Sequence, residues 1–593
     1  MKRRILTLTL LAAMLLALCA CSKDEQSGAA TETPEANFPV AFCLGARPAS
    51  LDPADYGVGE DATYLVNLHA GLVSYRPDEN GAARVTADLC NELPTPTTDE
   101  EGKTVYVFTL RDGLKWSDGS PLTAADFVYS WNRVIADKNA SERDLFSCID
   151  GFEDGTLNVT ASEDGKTLTV VLAKPVPRFF ERLANPVFCP VQQAAVESGD
   201  WDAAPETCVT CGAYRLEAIS DEGMTLVKNE NYWDAANTTL DRLEFAFLTD
   251  AGAILDGYQE GRYRVAAGLP AGVTAQLRDS EGDALHVTGR MGNYSLCFNM
   301  NDPALADFTE AERTDIRLAL SLLIDRSAIC DSIAKQGQRP AASVVPAGMT
   351  DADGTDFAAH NGPDGNGGGY FGADYEANCD RAVELLRGVA ASSGAFTVSD
   401  DGVCEGFPEL TFLTSESAGH VEIANAITAA YGKYGIELKT TALEMNAFLQ
   451  ARDRGDYSMA RFSWTAAYDD PASFLALWAA GAGSNCIGLG QDDHGAYAGY
   501  SVTINGTEQS GKTWAETYDA LIFTIQSASD ETVRCRCMHE AETLLMQTGA
   551  ICPVYEYTCV YLCRPSFQGL YAGPSGALYF MRAVNTLEEG NPS

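Results

Sequence analysis

Polar and apolar positions alternate most clearly between Val105 and Arg111. There Val105, Val107, Thr109 and Arg111 interleave with Tyr106, Phe108 and Leu110. A period of two predicts a strand with unlike faces. Asp112-Gly113 and Asp118-Gly119 follow as turn pairs, because glycine tolerates the positive φ that tight turns often need. Thr123 then caps a helix with Asp126 near the positive end of its dipole, and Phe127, Trp131 and Val134 recur at helical spacing on one face. The same reading predicts a first strand over 38–44, a helix over 62–71, two strands flanking Asp221-Glu222-Gly223, a short helix over 255–261 and a strand over 294–299. Ile316, Leu320, Leu323 and Ile324 define an amphipathic helix within 315–326. Residues 410–414, 421–434 and 436–441 read strand, helix, strand, with Gly435 closing the helix. That alternation predicts a mostly parallel α/β lobe, and the chain returns to strands over 551–557 and 560–562.

The N-terminus breaks the globular pattern. Lys2, Arg3 and Arg4 precede an apolar run from Ile5 to Leu18. The run is shorter than the roughly 20 residues of a membrane span and reads as a targeting segment. Leu18-Cys19-Ala20-Cys21 has the form of a lipoprotein box, so residues 1–20 are expected to leave and Cys21 to carry lipid. Residues 21–37, rich in Ser, Ala, Thr, Glu and Pro, form a disordered tether. No second apolar run is long enough to span a bilayer.

Charge and cysteine content narrow the function classes. The net charge is -42, and loss of the three leader cations takes it to -45. Nucleic acid and anionic membrane surfaces are poor partners for such a chain. An acidic field favours cationic or zwitterionic ligands, and equally keeps an exported protein soluble. Of 18 cysteines, Cys19 leaves with the leader and Cys21 carries lipid; among the other 16 only Cys208-Val-Thr-Cys211 and Cys535-Arg-Cys537 form close pairs, which gives neither a zinc spacing nor a redox context. Disulfides are permitted outside the membrane without a deducible pairing, and most cysteines read as small buried apolar residues. The six histidines are scattered without metal-ligand spacing, and His539-Glu540-Ala541-Glu542 fails as a zinc-protease motif. Asp351-Ala352-Asp353-Gly354 lacks the remaining ligands of a calcium loop, and the glycine run 367–372 lacks the preceding strand of a nucleotide site. No catalytic residue, metal or cofactor is expected, and the chain is read as a non-enzyme.

Several blocks carry a family likeness. They are Thr109 to Arg133, the turn Leu51-Asp52-Pro53, Gly212-Ala213-Tyr214 leading to Asn229-Glu230-Asn231-Tyr232-Trp233, and Asp315 to Arg326. Together they closely resemble the bacterial extracellular solute-binding protein family 5, which holds the oligopeptide-, dipeptide- and nickel-binding components of ABC importers. The resemblance implies an α/β, two-lobed periplasmic-binding-protein-like fold of the class II type with an additional N-terminal subdomain. Lobe I would combine 38–75, 208–288 and 555–593. The extra subdomain would occupy 76–207 and lobe II 289–554. The chain would cross between lobes near 289 and 555, and ligand would close them.

The resemblance also implies a site. Arg452 and Arg461 fall where peptide-binding relatives carry arginines for ligand carboxylates, and Trp464 falls on their cleft tryptophan. Val58 lies in a loop like one that meets the ligand main chain, and Tyr557 near a tyrosine that lines the pocket. The aspartate that binds the peptide amine is replaced by Ala467. Either Asp469 or Asp470 substitutes, or the ligand lacks a free α-amine there. The implied function is a monomeric, lipid-anchored binding protein on the extracytoplasmic face of the cell membrane. It would deliver peptides to the permease subunits of an ABC transporter. The alternatives are a binding protein for a nickel chelate, sugar or other non-peptide solute, and a surface peptide sensor without an importer.

Overall fold

Thr123 starts the helix Ala124–Ala136, and the Asp126 carboxylate accepts from the Thr123 N–H at 2.7 Å. Phe127, Trp131 and Val134 are buried on its inner face, and the Trp131 indole N–H donates to the Phe188 carbonyl at 2.9 Å. The strand before it, Thr104–Thr109, buries Tyr106 and Phe108 and exposes Val107. It sits in a four-stranded antiparallel sheet ordered Thr97–Thr98, Thr104–Thr109, Thr167–Leu172, Val159–Ala161. The computed structural model describes residues 41–586 apart from 56–60, 80, 141, 492–499 and 505–506. The leader, Cys21, the tether and Val58 therefore lie outside the described residues. No described helix is long and apolar enough to cross a membrane.

A mixed sheet of 11 strands organises the rest. Its main path uses β1 (Ala41–Cys43), β2 (Tyr214–Ile219), β3 (Gly223–Lys228), β4 (Arg242–Ala246), β5 (Val265–Ala267), β6 (Leu285–Phe298), β7 (Leu410–Ser415), β8 (Leu438–Leu443), β9 (Met459–Thr465) and β10 (Ile551–Cys563). The order is β8-β7-β9-β6-β10-β5-β1-β4-β3-β2, with Arg339–Pro340 pairing on β10 beside this path. Strands β7 and β8 are parallel and joined by the helix Ala418–Gly432; Gly435, at φ +71°, then turns the chain into β8. The predicted parallel lobe is nevertheless mixed, because β9, β6 and β10 pair antiparallel. The two C-terminal strands expected over 551–562 form one, since Thr558 and Cys559 keep the pairing going against Gly289 and Thr288.

Two large hydrophobic cores share this sheet. One draws its residues from 291–555. The other gathers residues from 42–265 and 561–583, including those of the expected extra subdomain. Strands β6 and β10 pass between them. Leu285 and Leu562 pack in a small cluster with Cys43 and Ala266, whereas Met291 to Phe298 and Ile551 to Tyr555 belong to the first core. The β6–β10 register shifts between Gly289 and Asn293, and again between Tyr294 and Ser295. The positions near 289 and 555, where crossings are expected, lie on or beside an irregular stretch of two long paired strands. Bulges bend and twist a ladder locally, so this is where the sheet can flex.

Candidate ligand-binding cleft

Strand β9 delivers the residues of interest. Met459, Ala460 and Phe462 are buried, Arg461 and Ser463 are half-buried, and Trp464 is 37% exposed. The chain then leaves the sheet, with the Ala466 N–H donating to the Met291 carbonyl at 2.7 Å. Ala467 and Tyr468 pack against the other core. The segment 464–468 therefore runs along the seam between the two bodies.

Three cavities follow that seam and share lining residues. The largest, about 670 Å³, lies between β9 and the 138–147 region and is lined by Glu142, Arg143, Arg182, Trp464, Thr465 and Tyr468. A small one of about 40 Å³ shares Glu142, Thr465, Ala467 and Tyr468, and adds Glu181, Asn185, Arg290 and Ser575. A third, of about 150 Å³, shares Arg290 and Ser575 and extends to Gln336 and the β10 residues Thr558 to Tyr561. Carboxylates and guanidinium groups thus line one groove. The Glu142 carboxyl is pushed above its usual range by burial, with Asp144 adding to the shift. Burial also raises Glu181, against the pull of Arg178. Neither glutamate has an ion pair among the described residues. An ammonium group would relieve both, since a buried carboxylate without a counter-ion is costly.

The sequence-predicted residues divide into two groups. Arg461, Ser463 and Tyr557 come together: Arg461 donates to the Ser463 hydroxyl at 3.3 Å and sits 5.6 Å from the Tyr294 ring centroid, and Arg461 and Ser463 both oppose the upward push that burial gives the Tyr557 phenol. Among the described residues Arg461 has no carboxylate partner, and its Nε is buried without an acceptor. Burial and the neighbouring Arg461 push His420 down to about 4, so it adds no competing charge at neutral pH. Arg452 lies on the Phe448 ring at 5.8 Å, with Arg461 at 5.9 Å from the same ring, and makes a loose 3.7 Å contact with Asp453.

Asp469 and Asp470 are placed otherwise than expected. The Asp469 carboxylate accepts from Thr350 N at 2.8 Å and lies 3.7 Å from Arg178. Both oxygens of the Asp470 carboxylate accept from one guanidinium nitrogen of Arg534, at 2.7 Å each, and one of them also accepts from Ala472 N at 3.0 Å. Both aspartates are buried and already paired with guanidinium groups of the protein. Their partners stand 291 and 64 residues away in sequence, beyond any local pattern. Glu142 and Glu181 were missed for a related reason: nothing in their spacing marks them. The backbone does give a signal. Glu142 and Arg178, both at this seam, have φ of +54°, and the described residues include only four such non-glycine positions. Non-glycine residues are held there only where their surroundings over-determine them.

The 16 described cysteines are all free thiols, and 13 of them are buried. They serve as small apolar side chains; Cys90, for example, is pushed up to about 11 by burial.

Comparison with known proteins adds to this picture. The model of "bacterial extracellular solute-binding proteins, family 5 Middle" matches residues 89–486. The chain is 28% identical to the periplasmic murein peptide-binding protein MppA of Escherichia coli, over 88% of each. It is 27% identical to the dipeptide-binding protein DppE of Bacillus subtilis, over 94% of this chain and 95% of that one. The unliganded open form of the MppA murein tripeptide-binding protein superposes with a TM-score of 0.71 at 25% identity, covering 92% of this chain and 97% of that chain. The chain accordingly has a two-lobed binding-protein fold and belongs to the bacterial extracellular solute-binding proteins of family 5.

Proposed function

We propose that this chain is the solute-binding component of a peptide ABC importer, tethered outside the membrane by lipid on Cys21. It captures short peptides in the seam groove and presents them to a permease as a monomer. It binds and releases its ligand without chemical change. Lobe I would be 38–75, 208–288 and 555–593, with 76–207 as an added subdomain and 289–554 as lobe II. The observation that carries the reading is the split of charge along one groove. Among the described residues, Glu142 and Glu181 line the groove without an ion pair, while Arg461, bonded to the groove residue Ser463, has no carboxylate partner. A zwitterionic chain satisfies both ends. Beside them, the exposed Trp464 offers an apolar face on which a peptide can lie irrespective of its sequence. Val58 would supply a main-chain contact. The relatives named for murein peptide and dipeptide binding support the same class.

In this reading the ligand amine goes to Glu142 and Glu181, in place of the aspartate lost at Ala467. Calorimetry with a mixture of short free peptides and its N-acetylated counterpart tests it. Binding of the free peptides, weakened in the double variant Glu142→Gln/Glu181→Gln and insensitive to that change when acetylated, is expected. Replacing Arg461 by Ala should cost about 1.5–3 kcal/mol, the usual value of a charged hydrogen bond. A second reading, a non-peptide solute, is favoured by Ala467 itself. Mass spectrometry of ligand co-purified with the protein separates the two: mixed peptides support the importer reading, and a single non-peptide solute overturns it.

A further inference from the structure

Away from the groove, Asp351, His360 and His539 bring three metal-ligating atoms within 4.8 Å of one another. The Asp351 Oδ2 lies 2.9 Å from His360 Nδ1 and 2.9 Å from His539 Nε2. The donors come from three places. Asp351 sits on a tight loop whose N–H donates to the Thr355 carbonyl at 2.8 Å. His360 ends the short helix Phe357–His360, which Asp356 caps by accepting from Ala358 N at 2.9 Å. His539 lies mid-way along the helix Glu531–Met546. Its ring stacks on Phe357 at 3.8 Å with an interplanar angle of 5°, and the His360 ring stands at 85° to it. The ring planes are thus set by packing rather than left to rotate.

Two imidazoles and one carboxylate, fixed from three segments, are the donor set of zinc and its first-row neighbours. Calcium and magnesium would need more oxygen ligands than this cluster offers. Exposure is graded across the cluster: the side chains of Asp351, His539 and His360 are 8%, 23% and 46% exposed. An ion would enter from the His360 side. The six histidines show no ligand spacing in sequence; the fold supplies it for two of them.

We propose that Asp351, His360 and His539 form a divalent transition-metal site of zinc type, which staples the loop 350–360 to the helix Glu531–Met546. Its place gives it a consequence. Arg178 of the opposite body donates to the Thr350 carbonyl on that loop and to Glu531 on that helix, both at 2.8 Å. The staple would hold both of these Arg178 partners in register.

The test is titration of the metal-free protein with zinc chloride against a chromogenic chelator, together with thermal unfolding. One equivalent bound and a raised unfolding midpoint are expected, with calcium chloride producing neither. His360→Ala and His539→Gln should each weaken zinc by at least about tenfold, because each removes a ligand where loss of a supporting contact alone costs 10–100-fold. His360 is half-exposed at the end of a short helix, so its variant keeps the fold testable if the His539 variant unfolds. Failure to bind one equivalent, or equal affinity in wild type and His360→Ala, would overturn the proposal.

Discussion

Glu542 is fully buried, accepts from the Val345 N–H at 2.8 Å, and is pushed by burial from 4.5 up to about 8. Its folded pKa is above the unfolded one, so the folded chain holds a proton that the unfolded chain has lost. The Glu542 contribution is fully present below about pH 4.5 and is lost as pH rises from there through about 8, at a slope near 1.4 kcal/mol per pH unit between the two. His69 acts in the other direction. Buried and hydrogen-bonded through Nε2 to the Leu51 carbonyl at 3.2 Å, it is pushed from 6.5 down to about 4. Its stability contribution is present above about pH 6.5 and is lost as pH falls through about 4. Urea unfolding across pH should show Glu542→Gln flattening the fall between about pH 4.5 and 8, and His69→Gln the rise between about pH 4 and 6.5. A Glu542→Gln variant offset from wild type by the same amount at every pH would contradict the assignment. At this scale the sequence reveals residue type without partner. Arg461 and Trp464 are candidates only through their place in a family-like segment. The counter-ions of Asp469 and Asp470 were not, because tertiary pairing chose them.

Elements were more legible, and where they failed the cause is pairing. The capping box at Thr123 and the period-two strand before it depend on neighbours within a few residues, and both form as read. The break expected between 557 and 560 does not form, because its backbone groups find partners on β6, which local propensity cannot report. Two family-like blocks also prove to be one device. Arg133, at the end of the signature helix, clamps Asp52 of the Leu-Asp-Pro turn with bonds of 2.8 and 2.5 Å. Asp52 also accepts from Ala54 N at 2.9 Å. Asp52→Asn should therefore destabilise by about 1.5–3 kcal/mol in urea unfolding, with Asp52→Asn/Arg133→Met recovering part of the loss. Fully additive losses would show that the two side chains are uncoupled. Gly292 makes the corresponding point on β6. A Cβ there would meet Trp464 O at 3.0 Å, Tyr557 at 2.9 Å and Thr465 at 2.7 Å. Gly292→Val should disturb the groove more than the fold, seen as a larger loss of peptide affinity than of unfolding midpoint.

At the scale of the whole molecule, side chains of one body reach across to the other at several points. Arg84 donates to the Gly354 carbonyl at 2.7 Å, Arg182 to the Tyr468 hydroxyl at 2.7 Å, and Asn185 to the Ala467 carbonyl at 3.3 Å. Arg178 is the most heavily engaged, with Glu531, Thr350 and Asp469 around a guanidinium that is 8% exposed. Its backbone stands in the left-handed region, which costs a non-glycine residue about 1–2 kcal/mol, so the contacts across the seam must outweigh that strain. The opposing element is the irregular β6–β10 ladder, where bending is cheapest. The balance between these two sets how far the lobes stand apart without ligand. Arg178→Met removes the grip and leaves Asp469 with Thr350 alone. Small-angle scattering of the ligand-free variant should show a larger radius of gyration than wild type. If closure limits binding, apparent peptide affinity falls by the factor through which the closed fraction drops. An unchanged radius together with unchanged affinity would mean that the sheet itself, rather than the Arg178 contacts, fixes the lobe separation.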